Sequence, residues 1–156
     1  MDDPKQLINR FVEELWNERR LDVADAIFAK DCVTHQLRSG VPEDAVPRGP
    51  QAIKEHVTSW IASFPDLHFR IEQMLSEGDR VATQLLMEGT HQGSWLGIPA
   101  SGKKIQIRMF TVHRVVHGKI VEDSVLVESL GVLQQLGVVP DTAALLSNFL
   151  RQQSNC

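Results

Sequence analysis

Hydrophobic positions in the first part of the chain recur at the spacing of helices. Between residues 7 and 16 they fall three and four positions apart, on one face of a helix that Asp3 can cap and Pro4 can open. The same pattern predicts a second short helix after Asp22 and a third that begins at Pro50. The apolar faces of the first and third helices comprise Leu7, Ile8, Phe11, Val12, Leu15, Trp16, Ile53, Val57, Trp60, Ile61 and Phe64.

Apolar and polar residues alternate in the second half of the chain, which is typical of β-strands. The alternation begins at Leu67, continues through a β-rich run at 81–87, and is clearest at 105–115 and 120–127. Because the helices come first and the strands afterwards, we expect an α+β fold with an antiparallel sheet.

The length of the chain fits one domain. A chain of 156 residues can bury roughly two-thirds of the surface that its unfolded form exposes. We place a single domain at 1–156, with a core of about 7–137 and a helical tail at 140–156 whose helix covers 142–150. A stretch rich in Gly, Pro and Asp at 39–49 is predicted to be a loop, which either covers a pocket or merely connects helices.

Composition and charge exclude several classes of protein. A net charge of −4, with Lys and Arg scattered along the chain, argues against a nucleic-acid partner. No stretch approaches the ~18–20 apolar residues that cross a bilayer, and the acidic start lacks the features of a signal peptide, so we expect a cytoplasmic protein and no membrane partner. Cys32 and Cys156 form neither a disulfide framework nor a zinc motif. Without a metal-ligand cluster or a Gly-rich phosphate loop, the sequence predicts no metal, flavin or nicotinamide cofactor.

The last two predicted strands carry an acidic residue on an otherwise apolar face. A three-residue loop at the turn around 117–118 would place Thr111 opposite Asp123, whereas a two-residue loop would pair Thr111 with Ser124. The first register gathers on one face Ile105, Ile107, Met109, Thr111, His113, Val121, Asp123, Val125 and Val127. The opposite face then carries Gln106, Arg108, Arg114, Glu122 and Glu128.

Asp123 is the candidate catalytic residue. A carboxylate on an apolar face is unfavourable unless it is hydrogen-bonded or its pKa is raised, and a raised pKa suits general acid/base catalysis. Alternatively, Asp123 lies near a strand end, where it reaches solvent or binds Thr111 structurally. His113 is either part of a shared proton network with Asp123 or a satisfied core histidine.

Residues outside this hairpin supply further candidates. His56 and Trp60 are four residues apart on the third helix and point the same way, with Trp60 most simply a core residue and His56 better suited to line a cavity. Trp16 is equally a core residue or a pocket wall, and His35 equally a rim residue or a ligand contact. Cys32, with no defined base beside it, is a buried small residue rather than a nucleophile.

Six segments between Leu7 and Gly137, in this order, resemble the SnoaL-like polyketide cyclase family of the nuclear transport factor 2-like superfold. They are WNERRLDVADAIFAKDCVTH, RGPQAIKEHV, FPDLHFRIEQMLSEGDRVA, GTHQGSWLGIPASGKKI, HRVVHGKIVED and LGVLQQLG. The resemblance implies a cone-shaped α+β barrel, in which N-terminal helices pack on a curved, mostly antiparallel sheet and enclose a pocket. It also implies a homodimer formed through the outer face of the sheet, where Arg108 and Arg114 lie.

The family's site residues are only partly present. Its ring-closing members use an aspartate on the last strand as the acid/base of a metal-free aldol condensation, and Val125 stands at that position. Their inward histidine on the preceding strand matches Thr111, and a neighbouring glutamine matches Met109. Asp123, two residues before the usual aspartate and on the same face, is a candidate for a relocated acid/base.

Other residues match positions of the family but do not identify the reaction. Trp16 and His56 match positions that contact ligand in the cyclases, and His91 matches a common family residue of unassigned role. Related members include isomerases, epoxide hydrolases and hydroxylase-like proteins, among which the fold alone does not choose.

Three functions fit these observations. The first is a cofactor-free acid/base enzyme of the cyclase or isomerase type for an apolar polyketide- or terpenoid-like molecule, with an epoxide hydrolase-type activity as a variant. In this enzyme, Asp123 would abstract or donate a proton, and His113 or His56 would be the second acid/base group. The second is a non-catalytic small-molecule-binding protein that has lost the cyclase aspartate, and the third is a protein-interaction module.

Overall fold

A computed structural model of the protein describes residues 3–36 and 45–154, so most of the predicted loop at 39–49 and Cys156 lie outside the described residues. Helices pack on one face of a curved sheet that has six strands within the described residues. The helical elements are α1 (Pro4–Arg10), a π-helical segment (Phe11–Asn17), α2 (Val23–Ile27), α3 (Pro50–Ser63), α4 (Ser129–Gln135) and α5 (Thr142–Ser154). The strands are β1 (Phe28–Gln36), β2 (Ala45–Pro47), β3 (His68–Glu77), β4 (Arg80–Thr90), β5 (Lys104–Val116) and β6 (Lys119–Val127).

The strand order across the sheet is β2-β1-β6-β5-β4-β3. Every neighbouring pair is antiparallel except β1 and β6, which run parallel. The predicted α+β architecture with a mostly antiparallel sheet is therefore confirmed. Strand β1 was not predicted, because its partner β6 lies about ninety residues later in the chain and its buried Thr34 interrupts the apolar alternation.

The hairpin between β5 and β6 has a different register from either of the two that the sequence suggested. A two-residue turn at 117–118 joins the strands, and both of its residues have positive φ angles of 49° and 71°. Val121 then bulges from β6, because Arg114 pairs with Glu122 whereas the next residue pairs with Ile120. The bulge adds one residue to β6, and the resulting pairs are Thr111 with Val125 and His113 with Asp123.

The bulge also decides which residues of β6 face inward. The predicted inner face is correct for Asp123, which is buried, but Ile120 replaces Val121 as the buried residue at the start of the strand. A register shift of one residue moves a strand residue to the opposite face of the sheet. The extra residue at Val121 reverses this shift, so Asp123 faces inward as predicted.

The first helix begins as predicted and changes its geometry halfway. Asp3 caps α1 by accepting a hydrogen bond from the Lys5 backbone N–H at 3.0 Å. In the π-helical segment the hydrogen bonds span five residues, as between the Glu18 N–H and the Glu13 carbonyl at 2.8 Å. This segment buries four apolar side chains under the sheet: Phe11, Val12, Leu15 and Trp16.

Two helices follow the last strand. Helix α4 lies beside β5 where β6 has ended, and the Gln135 side-chain amide both accepts from the Gln106 N–H (2.7 Å) and donates to the Gln106 carbonyl (3.0 Å). The tail helix predicted at 142–150 is present as α5, which contains no buried residue. No helix in the described part of the chain is long and apolar enough to cross a membrane, and the place of the protein in the cell stays a prediction.

Candidate functional site

A cavity of about 390 Å³ lies between the helices and the inner face of the sheet. Its volume lies within the range of small-molecule sites, and its walls are mostly apolar and aromatic. All three tryptophans of the sequence line it: Trp16, Trp60 and Trp95. Eight of the ten predicted site residues line it as well: Trp16, His56, Trp60, Met109, Thr111, His113, Asp123 and Val125.

Aromatic rings from several elements form one wall of the cavity. Trp16, from the π-helical segment, packs edge-on against Phe69 of β3 at 4.9 Å and against His56 of α3 at 5.9 Å between ring centroids. Trp60 lies 6.4 Å from His56 and 5.6 Å from Trp95, which belongs to the loop after β4. Trp95 was not among the predicted site residues, although a tryptophan in a predicted loop is a usual sign of a binding surface.

Polar side chains converge on the sheet side of the cavity. His113, Asp123 and Thr34 are neighbours across β5, β6 and β1, and Thr111 is a neighbour of Thr83 on β4. All five side chains are at most 3% exposed. Within the described residues, six buried polar atoms of these side chains have no hydrogen-bond partner: the hydroxyls of Thr34, Thr83 and Thr111, both ring nitrogens of His113, and Oδ1 of Asp123.

No residue in the part of the chain that the structure describes provides a hydrogen-bond partner for these atoms. Leaving a buried polar group without a hydrogen bond costs about 1–3 kcal/mol, and most buried polar groups in folded proteins are paired. Because three of the five residues also line the cavity, a bound molecule with oxygen atoms, or ordered water, can satisfy them. We call Thr34, Thr83, Thr111, His113 and Asp123 the polar floor.

The polar floor changes the proton affinity of its two titratable members. Burial raises the pKa of Asp123, against the opposing effects of the Thr34 hydroxyl and of the positive charge on Arg48, which also lines the cavity. Burial lowers the pKa of His113 to about 4, so its imidazole is neutral at pH 7. The site therefore combines a carboxyl group that can take up and release a proton with a neutral imidazole that can donate or accept a hydrogen bond.

His35 does not line the cavity. In β1 the side chains alternate, so that Thr34 points inward and His35 lies on the outer face of the sheet. There, its Nε2 is 2.9 Å from Oε1 of Glu122, whose other oxygen accepts a hydrogen bond from Nε of Arg114 at 2.9 Å. The structure thus places His35 in a hydrogen-bonded network with Glu122 and Arg114 on the outer face.

His91 does not line the cavity either. It follows the end of β4, is fully buried, and stacks on Phe64 with ring centroids 5.3 Å apart. Its Nδ1 is 3.0 Å from the Ser101 hydroxyl and accepts the Ser101 N–H, while its backbone bonds to Gly102 and Lys103 across the loop. His91 therefore joins the two ends of the loop between β4 and β5.

Comparisons with known proteins agree with this architecture. Residues 6–136 match the family described as SnoaL-like polyketide cyclase. Aklanonic acid methyl ester cyclase DnrD from Streptomyces peucetius is 30% identical over 134 residues, which cover 84% of this chain and 88% of that protein. Among solved structures, IdmH of Streptomyces antibioticus, a candidate polyketide cyclase, has a TM-score of 0.74 and 27% identity, with 87% of this chain and 99% of IdmH covered.

A second solved structure extends the similarity to nearly the whole chain. AclR of Streptomyces galilaeus, a candidate hydroxylase, has a TM-score of 0.78 and 24% identity, with 98% of this chain and 97% of AclR covered. At that identity the likeness concerns the fold alone.

Proposed function

Since the chain belongs to the SnoaL-like polyketide cyclase family, we propose that it is a cofactor-free acid/base enzyme of the cyclase or isomerase type that acts on an apolar, polyketide-like small molecule. One observation carries this proposal. Asp123 is buried against the cavity with an unpaired carboxylate oxygen and a raised pKa, amid other polar groups that also lack partners. Strongly perturbed titratable groups in a pocket are a usual sign of catalysis.

In the proposed mechanism, Asp123 acts as the general base and then as the general acid. Its carboxylate removes a proton from a carbon next to a carbonyl group of the substrate, and the electron pair of that C–H bond forms an enolate. The hydroxyl of Thr111 and an N–H of neutral His113 donate hydrogen bonds to the developing oxyanion. The enolate carbon attacks a second carbonyl carbon to close a ring, and Asp123 returns its proton to the new alkoxide.

The alternative is a protein that binds the same class of molecule without turnover. Val125 supports this alternative, because a valine cannot transfer a proton and it stands where the resemblance puts the cyclase aspartate. The two functions differ in one measurable respect, which is whether product forms at a rate that depends on Asp123.

We expect Asp123→Asn to lower kcat by about 10²–10⁴-fold, the usual contribution of general acid/base catalysis. The substrates to assay are aklanonic acid methyl ester, which the name of DnrD specifies, and a panel of related aromatic polyketide esters. Glu122→Gln is the matched control, since it makes the same chemical change one residue away on the outer face. Binding is followed by quenching of the three cavity tryptophans.

The outcomes separate the two functions. Wild-type binding without turnover of any ester would support the non-catalytic alternative. Turnover by Asp123→Asn at the wild-type rate would remove Asp123 from the mechanism. A fall in kcat with Glu122→Gln equal to that with Asp123→Asn would mean that the loss reflects a general disturbance of β6.

We also propose that the protein forms a homodimer through the outer face of its sheet. Phe110, Val112 and Leu126 are exposed there, and Phe110 pairs directly with Leu126 across β5 and β6. The charged groups around them are already paired within the chain, as in Arg108 with Glu72 at 2.9 Å. An exposed apolar patch with a polar rim is typical of protein–protein interfaces.

Sedimentation equilibrium tests the dimer. Leu126→Glu should raise the dimer dissociation constant by 100-fold or more, because it buries an unpaired charge in the interface. Asn9→Glu, on the exposed side of α1, adds the same charge away from the sheet and should leave the constant unchanged. A wild-type protein that stays monomeric at high concentration would contradict the proposal.

A further inference from the structure

The loop between β4 and β5 contains a tight turn with an unusual residue. Trp95 and Ile98 exchange two backbone hydrogen bonds of 3.0 and 2.8 Å, and only Leu96 and Gly97 lie between them. Their φ angles are +50° and +82°. Glycine adopts such angles freely, but the left-handed conformation costs other residues about 1–2 kcal/mol, and leucine has no side-chain hydrogen bond to offset the cost.

Leu96 also leaves its side chain in solvent. It is 79% exposed, more than any other large hydrophobic side chain in the described part of the protein. Leu96 is nevertheless among the residues that line the cavity, which places this residue at the cavity mouth. A strained backbone and an exposed leucine at one position are both unfavourable in the free protein, and strain of this kind tends to occur at ligand-binding sites.

The base of the loop is anchored, so Leu96 cannot easily relax away from the mouth. The N–H groups of Gln92 and Gly93 both donate to the Ser63 carbonyl at 3.0 Å, and the Ser63 hydroxyl donates to the Ser94 carbonyl at 2.7 Å. A side chain at Gly93 would approach the Ala62 carbonyl oxygen to 2.1 Å, so only glycine allows this close contact.

The polar floor and Leu96 lie toward opposite ends of α3. Helix α3 begins two residues after Arg48, whose N–H donates to the Cys32 carbonyl of β1 at 2.7 Å. Thr34 of β1 is the neighbour of Asp123. The end of α3 carries the Ser63 anchor of the Leu96 turn. Fourteen helical residues rise about 20 Å, so the polar floor lies toward one end of this helix. Toward the other end the cavity is lined by Trp60, Trp95 and Leu96 together with serines, of which Ser63 has its hydroxyl already bonded to the Ser94 carbonyl.

We propose that Leu96 is a specificity-determining residue that covers the apolar end of a bound molecule. The molecule is a polycyclic compound with oxygen atoms along one edge, which face the polar floor, and with a hydrocarbon edge that extends under Leu96. When this edge is present, Leu96 exchanges solvent for an apolar contact, which offsets the strain of its backbone. The inference rests on the proposed function only in requiring that the cavity binds a small molecule, and it does not require catalysis.

Leu96→Asn tests this role, with His117→Asn as its matched control. Asparagine tolerates positive φ better than leucine or histidine does, and His117 occupies the same first position of a two-residue turn, with φ +49°, in the β5–β6 hairpin. We expect both variants to keep or raise the melting temperature. Only Leu96→Asn should raise the Kd for anthracene-2,3-diol, which has both oxygens at one end of three linearly fused rings, by tenfold or more, as measured by isothermal titration calorimetry.

A shorter probe checks where Leu96 acts. Naphthalene-2,3-diol lacks only the ring farthest from the two oxygens, so it should reach the polar floor without reaching the mouth, and its Kd should change by less than threefold with Leu96→Asn. Leu96→Gly, which also removes the strain, should reproduce the result if Leu96→Asn folds poorly.

Each contrary outcome has a separate meaning. Wild-type protein that binds neither probe would contradict both the ligand class and the cavity binding on which the proposed function depends. Wild-type binding that is unchanged in Leu96→Asn would overturn the role of Leu96 and leave the proposed function standing. A lower melting temperature of both Leu96 variants would show that the leucine stabilises the free fold, which also overturns the inference.

Discussion

Two adjacent carboxylates of β6 face opposite sides of the sheet and have opposite surroundings. Glu122, on the outer face, is 29% exposed and accepts hydrogen bonds from Arg114 and His35 at 2.9 Å each. The bond from Arg114, followed by that from His35, lowers the pKa of Glu122. Asp123, on the inner face, is buried without a partner for Oδ1, and burial raises its pKa.

The difference separates structural from functional polar groups in this fold. Outer-face groups satisfy one another within the chain, as when Glu72 accepts from both Arg108 at 2.9 Å and Gln84 at 2.7 Å. In the polar floor, the Thr34 hydroxyl is close enough to lower the pKa of Asp123 but forms no hydrogen bond of normal geometry. The polar atoms of this cluster that lack partners among the described residues are unfavourable in the free protein. Groups that a fold keeps in spite of their cost are the first candidates for function.

Replacing His113 should give the largest effect among the tests of whether the polar floor is unpaired. Its folded-state pKa of about 4 lies below the unfolded value of ~6.5, so the unfolded chain alone takes up this proton between those pH values. The wild type should therefore lose about 3 kcal/mol of stability through His113 as the pH falls from 7 to 4. Urea denaturation of His113→Gln across this range should show that this loss is absent.

A second histidine controls for the general effect of acid. His117→Gln makes the same replacement in the exposed β5–β6 turn, away from the polar floor, and its stability is measured over the same pH range. If His113→Gln loses stability as steeply as the wild type, His113 is paired in solution, and the polar floor is not the unsatisfied cluster described above.

Part of this arrangement was predictable from the sequence because inner and outer residues alternate. The alternation of β5 placed Thr111 and His113 inside and Arg108 and Arg114 outside, as the structure has them. Asp123 was identified for the same reason, since a carboxylate breaks an apolar pattern visibly. Helical spacing likewise brought Trp16, His56 and Trp60 to one cavity, although their predicted contacts with ligand stay predictions.

The rest depended on contacts between distant parts of the chain. Thr34 belongs to the polar floor only because β1 lies beside β6, and no local pattern indicates a parallel pairing of that kind. The bulge at Val121 changed the register without changing the face of Asp123. The sequence also does not tell that His35 lies on the outer face or that His91 is buried beside the loop between β4 and β5, because a histidine has partners in many environments.

A smaller effect on stability should distinguish the two carboxylates, Asp123 and Glu122. Burial raises the pKa of Asp123 in the folded protein. Below the pKa of Asp in the unfolded chain, ~3.9, the carboxyl group is protonated in both states and does not change the free energy of unfolding. As the pH rises above that value, ionisation favours the unfolded chain and destabilises the wild type. Asp123→Asn should thus be more stable than the wild type at pH 7, by an amount on the order of 1 kcal/mol.

Glu122 should behave in the opposite way. Its lowered pKa stabilises the fold above the unfolded value near ~4.3, and this contribution is lost as the pH falls through the folded value. Glu122→Gln should be less stable than the wild type at pH 7, by about 1 kcal/mol or less because the ion pair is partly exposed, and equal to it in acid. Urea denaturation of both variants between pH 3 and 7 should give stability differences of opposite sign that converge toward zero at low pH. If both variants are destabilised at pH 7, Asp123 has a stabilising partner in solution, and its place among the unpaired groups is wrong.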